Sequence, residues 1–236
     1  MTHKLSFAIL AIALLYSQLS YAQDVSTKVY GNGDRYTGTR DSHERRAGYG
    51  TLEFANGDRY DGEWKNDVFH GQGVYKYHDG GRYEGTWVKG SPKGEGTYYY
   101  ANGDKLTGTF DENRTGKGIY TFAPDPKDYY EGDFVNGVCH GYGERHWANG
   151  TVYKGKWMFG RMDGKGEIVY EDGSNYKGQW KNGKFDGKGT VLYSDGSHYK
   201  GEWKNGKYDG EGVLTEKDGT VIHALFKGGE VLKYLD

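Results

Sequence analysis

YKGQWKNGKFDGKGTVLYSDGSH, residues 176–198, is one full period of this chain, and the next residues, Tyr199-Lys-Gly-Glu-Trp203, begin it again. The same opening, Tyr-x-Gly-x-aromatic, occurs at Tyr60–Trp64, Tyr83–Trp87, Tyr130–Phe134 and Tyr153–Trp157, and the 23-residue step from 60 to 83 recurs from 130 to 199. A Gly-x-Gly pair follows each opening, at Gly71/Gly73, Gly94/Gly96, Gly141/Gly143, Gly164/Gly166, Gly187/Gly189 and Gly210/Gly212. Each unit then closes on Asp-Gly or Asn-Gly, as at Asp79-Gly80, Asn149-Gly150 and Asp195-Gly196. Those dipeptides supply the positive φ angles of tight hairpin turns. Between turns the residues alternate with period two, which is the signature of strands. In the unit from Tyr60, the residues Tyr60, Gly62 and Trp64 share one face and Asp61, Glu63 and Lys65 the other. The second strand reads the same way, with Gly71, Gly73, Tyr75 and Tyr77 on one face and Gln72, Val74 and Lys76 on the other. One face is aromatic and glycine, the other mostly charged, and glycine leaves hollows in which rings from neighbouring strands can lie against backbone.

This pattern resembles the MORN (membrane occupation and recognition nexus) repeat family. The matching residues are the Tyr-x-Gly-x-Trp strands, the steps His70-Gly71, His140-Gly141, Asp163-Gly164, Asp186-Gly187 and Asp209-Gly210, and the closing turns. The resemblance covers about residues 29 to 236. It implies an all-β fold, an elongated single-layer twisted antiparallel sheet of stacked hairpins with an aromatic groove. About eight units start near 36, 60, 83, 106, 130, 153, 176 and 199, flanked by terminal caps, so residues 23–236 form one array. Three departures carry expectations. The unit at Tyr36 has Arg40 in the Trp position and reads as an N-terminal cap. The unit at 106 has Leu106 and Phe110, a loop one residue shorter and an insertion with Pro124 and Pro126, which predicts a bend or widened register over 106–129. After Ile222 the aromatic pattern is expected to stop in a C-terminal cap.

Composition fits an open sheet better than a sphere. Apolar residues are only 35% of the chain while Gly is 41 and Tyr 23 of 236, so aromatic rings must supply most of the buried area. The 31 Lys+Arg against 33 Asp+Glu show no like-charged block, which excludes the clustered basic surface of a nucleic-acid binder. Residues 1–22 read as a secretory signal peptide: Lys4, an apolar run from Leu5 to Tyr16, then Ser20-Tyr21-Ala22 as a cleavage site. Export to the periplasm or the extracellular medium is the expectation. The one cysteine, Cys139, has no internal disulfide partner, and it reads as a small apolar filler. Asn113-Arg-Thr115 and Asn149-Gly-Thr151 are glycosylation sequons.

No catalytic constellation emerges. Ser194, Asp195 and His198 lie close together, but they occupy the turn positions of Glu171, Asp172 and Asn175 one period earlier, and a triad needs spatial geometry. Gly183 to Thr190 is one residue short of a phosphate-binding loop, with Gly189 where Ser or Thr should follow the lysine. His70 and His140 share a position three units apart, a separation of roughly 29 Å at two strands per unit, so they cannot share a metal. No cofactor or metal is expected, and the chain reads as a binding protein rather than an enzyme. Kinase and methyltransferase domains accompany such repeats in family members, but this chain has no room for either.

The aromatic face supplies the candidate binding groove: Tyr60, Trp64, Tyr83, Trp87, Phe110, Tyr130, Phe134, Tyr153, Trp157, Tyr176, Trp180, Tyr199 and Trp203. These rings can serve as the minimal core and still leave edges in a groove, and exposed aromatic patches mark binding surfaces. The leading expectation is a scaffold that binds a protein or peptide, and the resemblance also implies homodimers. Two alternatives stay open. Membrane-lipid binding is implied by the family, although Lys154, Lys156, Lys177, Lys181, Lys200 and Lys204 are interleaved with acids. Glycan binding fits aromatic faces and an extracellular address.

Overall fold

Residues 24–235 are described by a computed structural model, and the signal peptide read over residues 1–22 lies outside them. Nineteen strands form one sheet. They are β1 Ser26–Val29, β2 Arg35–Arg40, β3 Arg46–Glu53, β4 Arg59–Lys65, β5 Val68–Lys76, β6 Arg82–Val88, β7 Ser91–Tyr99, β8 Lys105–Phe110 and β9 Gly116–Thr121. The array continues through β10 Tyr129–Val135, β11 Val138–His146, β12 Val152–Met158, β13 Arg161–Val169, β14 Asn175–Lys181, β15 Lys184–Leu192, β16 His198–Lys204, β17 Lys207–Thr215, β18 Val221–Lys227 and β19 Glu230–Tyr234. Each strand pairs antiparallel with the next in sequence, so the sheet is a meander of hairpins.

Two kinds of turn alternate along it. The closing turns behave as the sequence predicts: at Tyr77 the Gly80 amide donates back to the Tyr77 carbonyl, 3.1 Å, with Gly80 at φ 95°. The other turns join the two strands of a unit, and outside the units at 36 and 106, whose loops have one positive-φ residue each (Glu44 and Arg114), their central pairs have positive φ at both residues, as in Asn66-Asp67 (53° and 67°) and Asn182-Gly183 (50° and 80°). That is the tight two-residue turn whose twist matches the strands. The sequence reading named only the closing turns, although Asn136-Gly137, Asn182-Gly183 and Asn205-Gly206 carry the same signal.

The face assignment of the second strand needs one correction. Gly62 pairs with Gly73, but Trp64 pairs with Phe69, so residues 70–72 bulge opposite Glu63. Gly71 still pairs with Trp87 of β6, but at φ 60° its free side faces the Glu63 carboxylate, and Phe69 opposite Trp64 lies on the aromatic face. The two glycines of each pair do different work. Gly71 holds the bulge at φ 60°, while Gly73 clears room for the Tyr60 ring.

The expected widened register at 106–129 is also corrected. Phe110 pairs with Gly116 and Gly108 with Gly118 without a bulge, and β9 meets β10 in unbroken register. The shorter loop has removed the bulge rather than added to it, and the residues with Pro124 and Pro126 form the connection after β9. At the C-terminal end the aromatic pattern does not stop at Ile222. Phe226 takes the Trp position, buried, with its ring edge-on to Tyr199.

Candidate functional site

All thirteen candidate rings are buried, none more than 8% exposed. They are core. Each opening Tyr lies over its two facing glycines and donates its hydroxyl to the carbonyl three residues on, as Tyr176 does to Gln179 at 2.8 Å. Each Trp is wedged edge-on between the Tyr of its own unit and that of the preceding one: Trp180 lies 5.3 Å from Tyr176 and 5.1 Å from Tyr153. Its Nε1 donates to the Gly166 carbonyl, 3.2 Å. Edge-to-face contact is the geometry aromatic pairs prefer. Burial pushes the hydroxyls of Tyr36, Tyr83 and Tyr199 up to about 12. At the Tyr36 unit, Arg40 replaces the indole and lies 5.0 Å from the Tyr36 ring centre.

The surface over this core comes from two other rows. One is the residue opposite the Trp position, which is Phe69, Pro92, Met162, Phe185 and Tyr208 opposite tryptophans and Cys139 opposite Phe134. Phe185 stacks on Tyr176 at 3.6 Å and Tyr208 on Tyr199 at 3.8 Å, so this row caps the buried tyrosines. Burial pushes the Cys139 thiol up to about 11, which suits the filler role read from sequence. The other row opens each closing turn: Tyr30, Phe54, Tyr77, Tyr100, Phe122, Trp147, Tyr170 and Tyr193. These rings are half-buried or exposed. The sequence reading overlooked this row as a site. Its signal was an aromatic two residues before seven of the closing Asn-Gly or Asp-Gly pairs, from Tyr30 before Asn32 to Tyr193 before Asp195, with Glu216 in that place before Asp218.

The groove thus has a floor of buried rings and two walls, one aromatic throughout and one that mixes Phe69, Phe185 and Tyr208 with Pro92, Cys139 and Met162. A side chain from the strand between them varies along its length. It is Tyr75 and Tyr120 in two units, each donating to an aspartate of the preceding closing turn, Asp58 (2.8 Å) and Asp104 (2.7 Å). Burial alone would raise the Asp58 carboxyl, but donors from His78, Tyr75 and Asn56 outweigh it and hold it below the usual carboxylate range. In the unit from Tyr130 the position is Arg145, ion-paired with Asp128 and lying 3.7 Å from the Phe122 ring centre. Between Trp147 and Phe185 the groove opens into a hollow of about 500 Å³. One unit further the walls meet, where the Tyr193 and Tyr208 hydroxyls are 2.6 Å apart.

On the opposite face the lysines considered for lipid are partly neutralised, with Lys154 paired to Glu144 (3.3 Å) and Lys177 to Glu167 (3.0 Å). Asp195 accepts from the Ser197 amide and hydroxyl, which is turn geometry rather than catalytic geometry. Among the described residues no group of three or more His, Cys, Asp or Glu side chains could hold a metal ion.

The MORN repeat matches eight segments: residues 45–59, 60–82, 83–105, 107–124, 130–152, 153–175, 176–198 and 199–221. No curated protein sequence matches the chain. Among solved structures, the wild-type TCP10 domain of Danio rerio CPAP is similar at 16% identity and a TM-score of 0.47, over 89% of this chain and 98% of that one. The same domain in complex with a peptide of Danio rerio STIL aligns at 12% identity and 0.34, over 88% and 98%. The SAS-4 TCP domain of Drosophila melanogaster, in complex with a proline-rich motif of Ana2, aligns at 15% and 0.31, over 90% and 97%.

Proposed function

The chain belongs to the MORN repeat family, and from that premise we propose that it is a non-catalytic scaffold whose aromatic groove holds a segment of another protein. The observation that carries this reading is the pair of accessible walls, one of them aromatic throughout, over a buried aromatic floor. Repeat arrays expose long continuous surfaces because each unit contacts only its neighbours. Tyr and Trp are the residues that dominate binding energy when a partner covers them. The thirteen buried rings act in this reading by shaping the floor, while Phe69, Tyr77 and Tyr100 make the contacts. Export, read from residues 1–22, places the encounter in the periplasm or the extracellular medium. A second copy of the chain is the alternative partner. The edge strand β19 favours it, since Leu232 and Tyr234 are exposed there.

The test is cross-linking of the purified protein to material from its own source, with mass spectrometry of what is retained. A Tyr77→Ser/Tyr100→Ser variant with an unchanged circular dichroism spectrum is expected to lose the partner. Retention by that variant, with loss in a Leu232→Asp/Tyr234→Asp variant, would move the interface to the sheet edge.

A further inference from the structure

The hollow between Trp147 and Phe185 has a definite cause in the sequence. In the units at 60 and 106 the space over the floor is filled by the hydrogen-bonded pairs Asp58–Tyr75 and Asp104–Tyr120. The corresponding residues one turn before and within β13 are Thr151 and Ile168. Both members of the pair are smaller here, as they are at Ser174 with Val191 and Ser197 with Leu214 in the next two units, and the space of a phenol and a carboxylate is left unfilled. The wall beside it is also exceptional. Five of the six tryptophans occupy the buried Trp position, and Trp147 is the one that stands in the accessible row.

The lining is amphipathic. Trp147, Tyr170, Met162 and Phe185 form the sides, with Ile168 and Trp180 beneath. Asn149, Thr151 and Lys184 bring an amide, a hydroxyl and an ammonium to the rim. Asn149 uses its Oδ1 to accept from the Thr151 amide, 3.0 Å, which leaves its Nδ2 for another partner. A second hollow adjoins the first through Asn149, Thr151 and Tyr170, and adds Glu171, Asp172 and Ser174. A volume of about 500 Å³ lies in the ordinary range for small-ligand sites, ~300–1,000 Å³.

We propose that this hollow is a saccharide subsite, in which a pyranose ring lies against the Trp147–Tyr170 wall and its hydroxyls reach Asn149, Glu171 and Lys184. A pyranose has an apolar C–H face and a girdle of hydroxyls, which matches aromatic sides beneath a rim of mixed donors and acceptors. An anionic headgroup or a nucleotide would meet Glu171 and Asp172, and the Asp172 carboxyl is held ionised by the Ser174 hydroxyl and amide. The ligand is short, because the Tyr193–Tyr208 contact closes the groove one unit on. This site is separate from the protein-binding walls at Tyr77 and Tyr100, so the two readings can fail independently.

The experiment titrates the full chain with chitotriose, cellotriose, maltotriose and mannotriose, followed by tryptophan fluorescence and calorimetry. At least one is expected to bind. Thr151→Asp/Ile168→Tyr rebuilds the filling pair native to two other units, so it should fold and weaken that binding by more than about tenfold. Asn149→Ala, at an exposed turn, serves as the second variant and should weaken it without altering the fold. Capture of a protein partner through Tyr77 and Tyr100 should be unaffected in both. Failure of all four sugars at millimolar concentration, or equal binding by the filled and native proteins, would overturn the proposal.

Discussion

Gly62 and the Tyr60 ring claim the same space: a Cβ added to the glycine would lie 2.5 Å from the phenolic oxygen. The tyrosine has its place because two facing residues have no side chain, and those residues can lack one because the ring fills the gap. The expected consequence is strong coupling. Gly62→Ala should destabilise the array by about 1–3 kcal/mol through overpacking. Tyr60→Phe, which loses only the hydrogen bond to the Glu63 carbonyl at 2.9 Å, should cost about 1 kcal/mol. Gly62→Ala combined with Tyr60→Leu should cost less than the sum of the single changes. Urea unfolding of the native protein, the Gly62→Ala, Tyr60→Phe and Tyr60→Leu variants and the double variant checks this.

The indoles make a second prediction. Phe110 and Phe134 already serve in the Trp position. Trp180→Phe should therefore be tolerated, with a loss of roughly 1–2 kcal/mol for the donor to Gly166 and some packing. Trp180→Ala opens a cavity between Tyr153 and Tyr176 and should cost about 3–5 kcal/mol. Equal losses in thermal unfolding would contradict the edge-to-face packing.

Phe159 sits at φ 46° in a turn where four other units have Asn, at 66, 136, 182 and 205. A left-handed backbone costs an ordinary L-residue ~1–2 kcal/mol, and Asn adopts it readily. The Phe159 ring is exposed and touches His140 edge-on, so little packing is lost with it. Phe159→Asn should raise stability by about 1 kcal/mol, seen as an increase in Tm of ~2–4 °C for a chain of this size.

Alkaline titration should reveal the floor of the groove. A buried tyrosine whose folded pKa lies above its unfolded value of ~10 stabilises the fold in its neutral form. That contribution is complete below pH ~10 and is lost as pH rises through the folded value, which is about 12 for Tyr36, Tyr83 and Tyr199. Absorbance at the phenolate band should rise first from phenols outside this buried set. The buried set should follow in one step that coincides with loss of the sheet signal in circular dichroism. A single smooth titration of all tyrosines near their ordinary value would contradict the burial.

Sequence periodicity made the hairpins, the unit boundaries and the buried rings legible, because Tyr, Gly and Trp recur at fixed spacing. It did not show the bulge. Strict alternation put Gly71 and Gly73 on one face, and only the positive φ at Gly71, which turns its free side toward Glu63 while Gly73 faces Tyr60, separates them. Counting in twos fails wherever a positive-φ glycine lets the strand slip. The groove walls were missed for a related reason. Trp64 and Trp203 drew the eye as large rings in a repeated motif, yet a ring flanked by glycines on both sides is the one that sinks. Trp147 and Tyr170, beside the turns, have no such recess and stay at the surface. The hollow was hidden too, since it arises from Thr151 and Ile168 being small together, residues 17 positions apart.

Every strand from β1 to β19 is bonded only to the strands that precede and follow it in the chain. Among the described residues, β1 and β19 therefore lie at opposite ends of the ladder, and tension between them runs across the hydrogen bonds rather than along the strands. Pulled from its termini, the protein should open as a zipper does, one hairpin of constant contour length after another, at nearly constant low force and with refolding on release. The same chain-local wiring means that adding or removing a whole unit rethreads nothing, so the length of the ladder can change by recombination while each remaining rung keeps its neighbours.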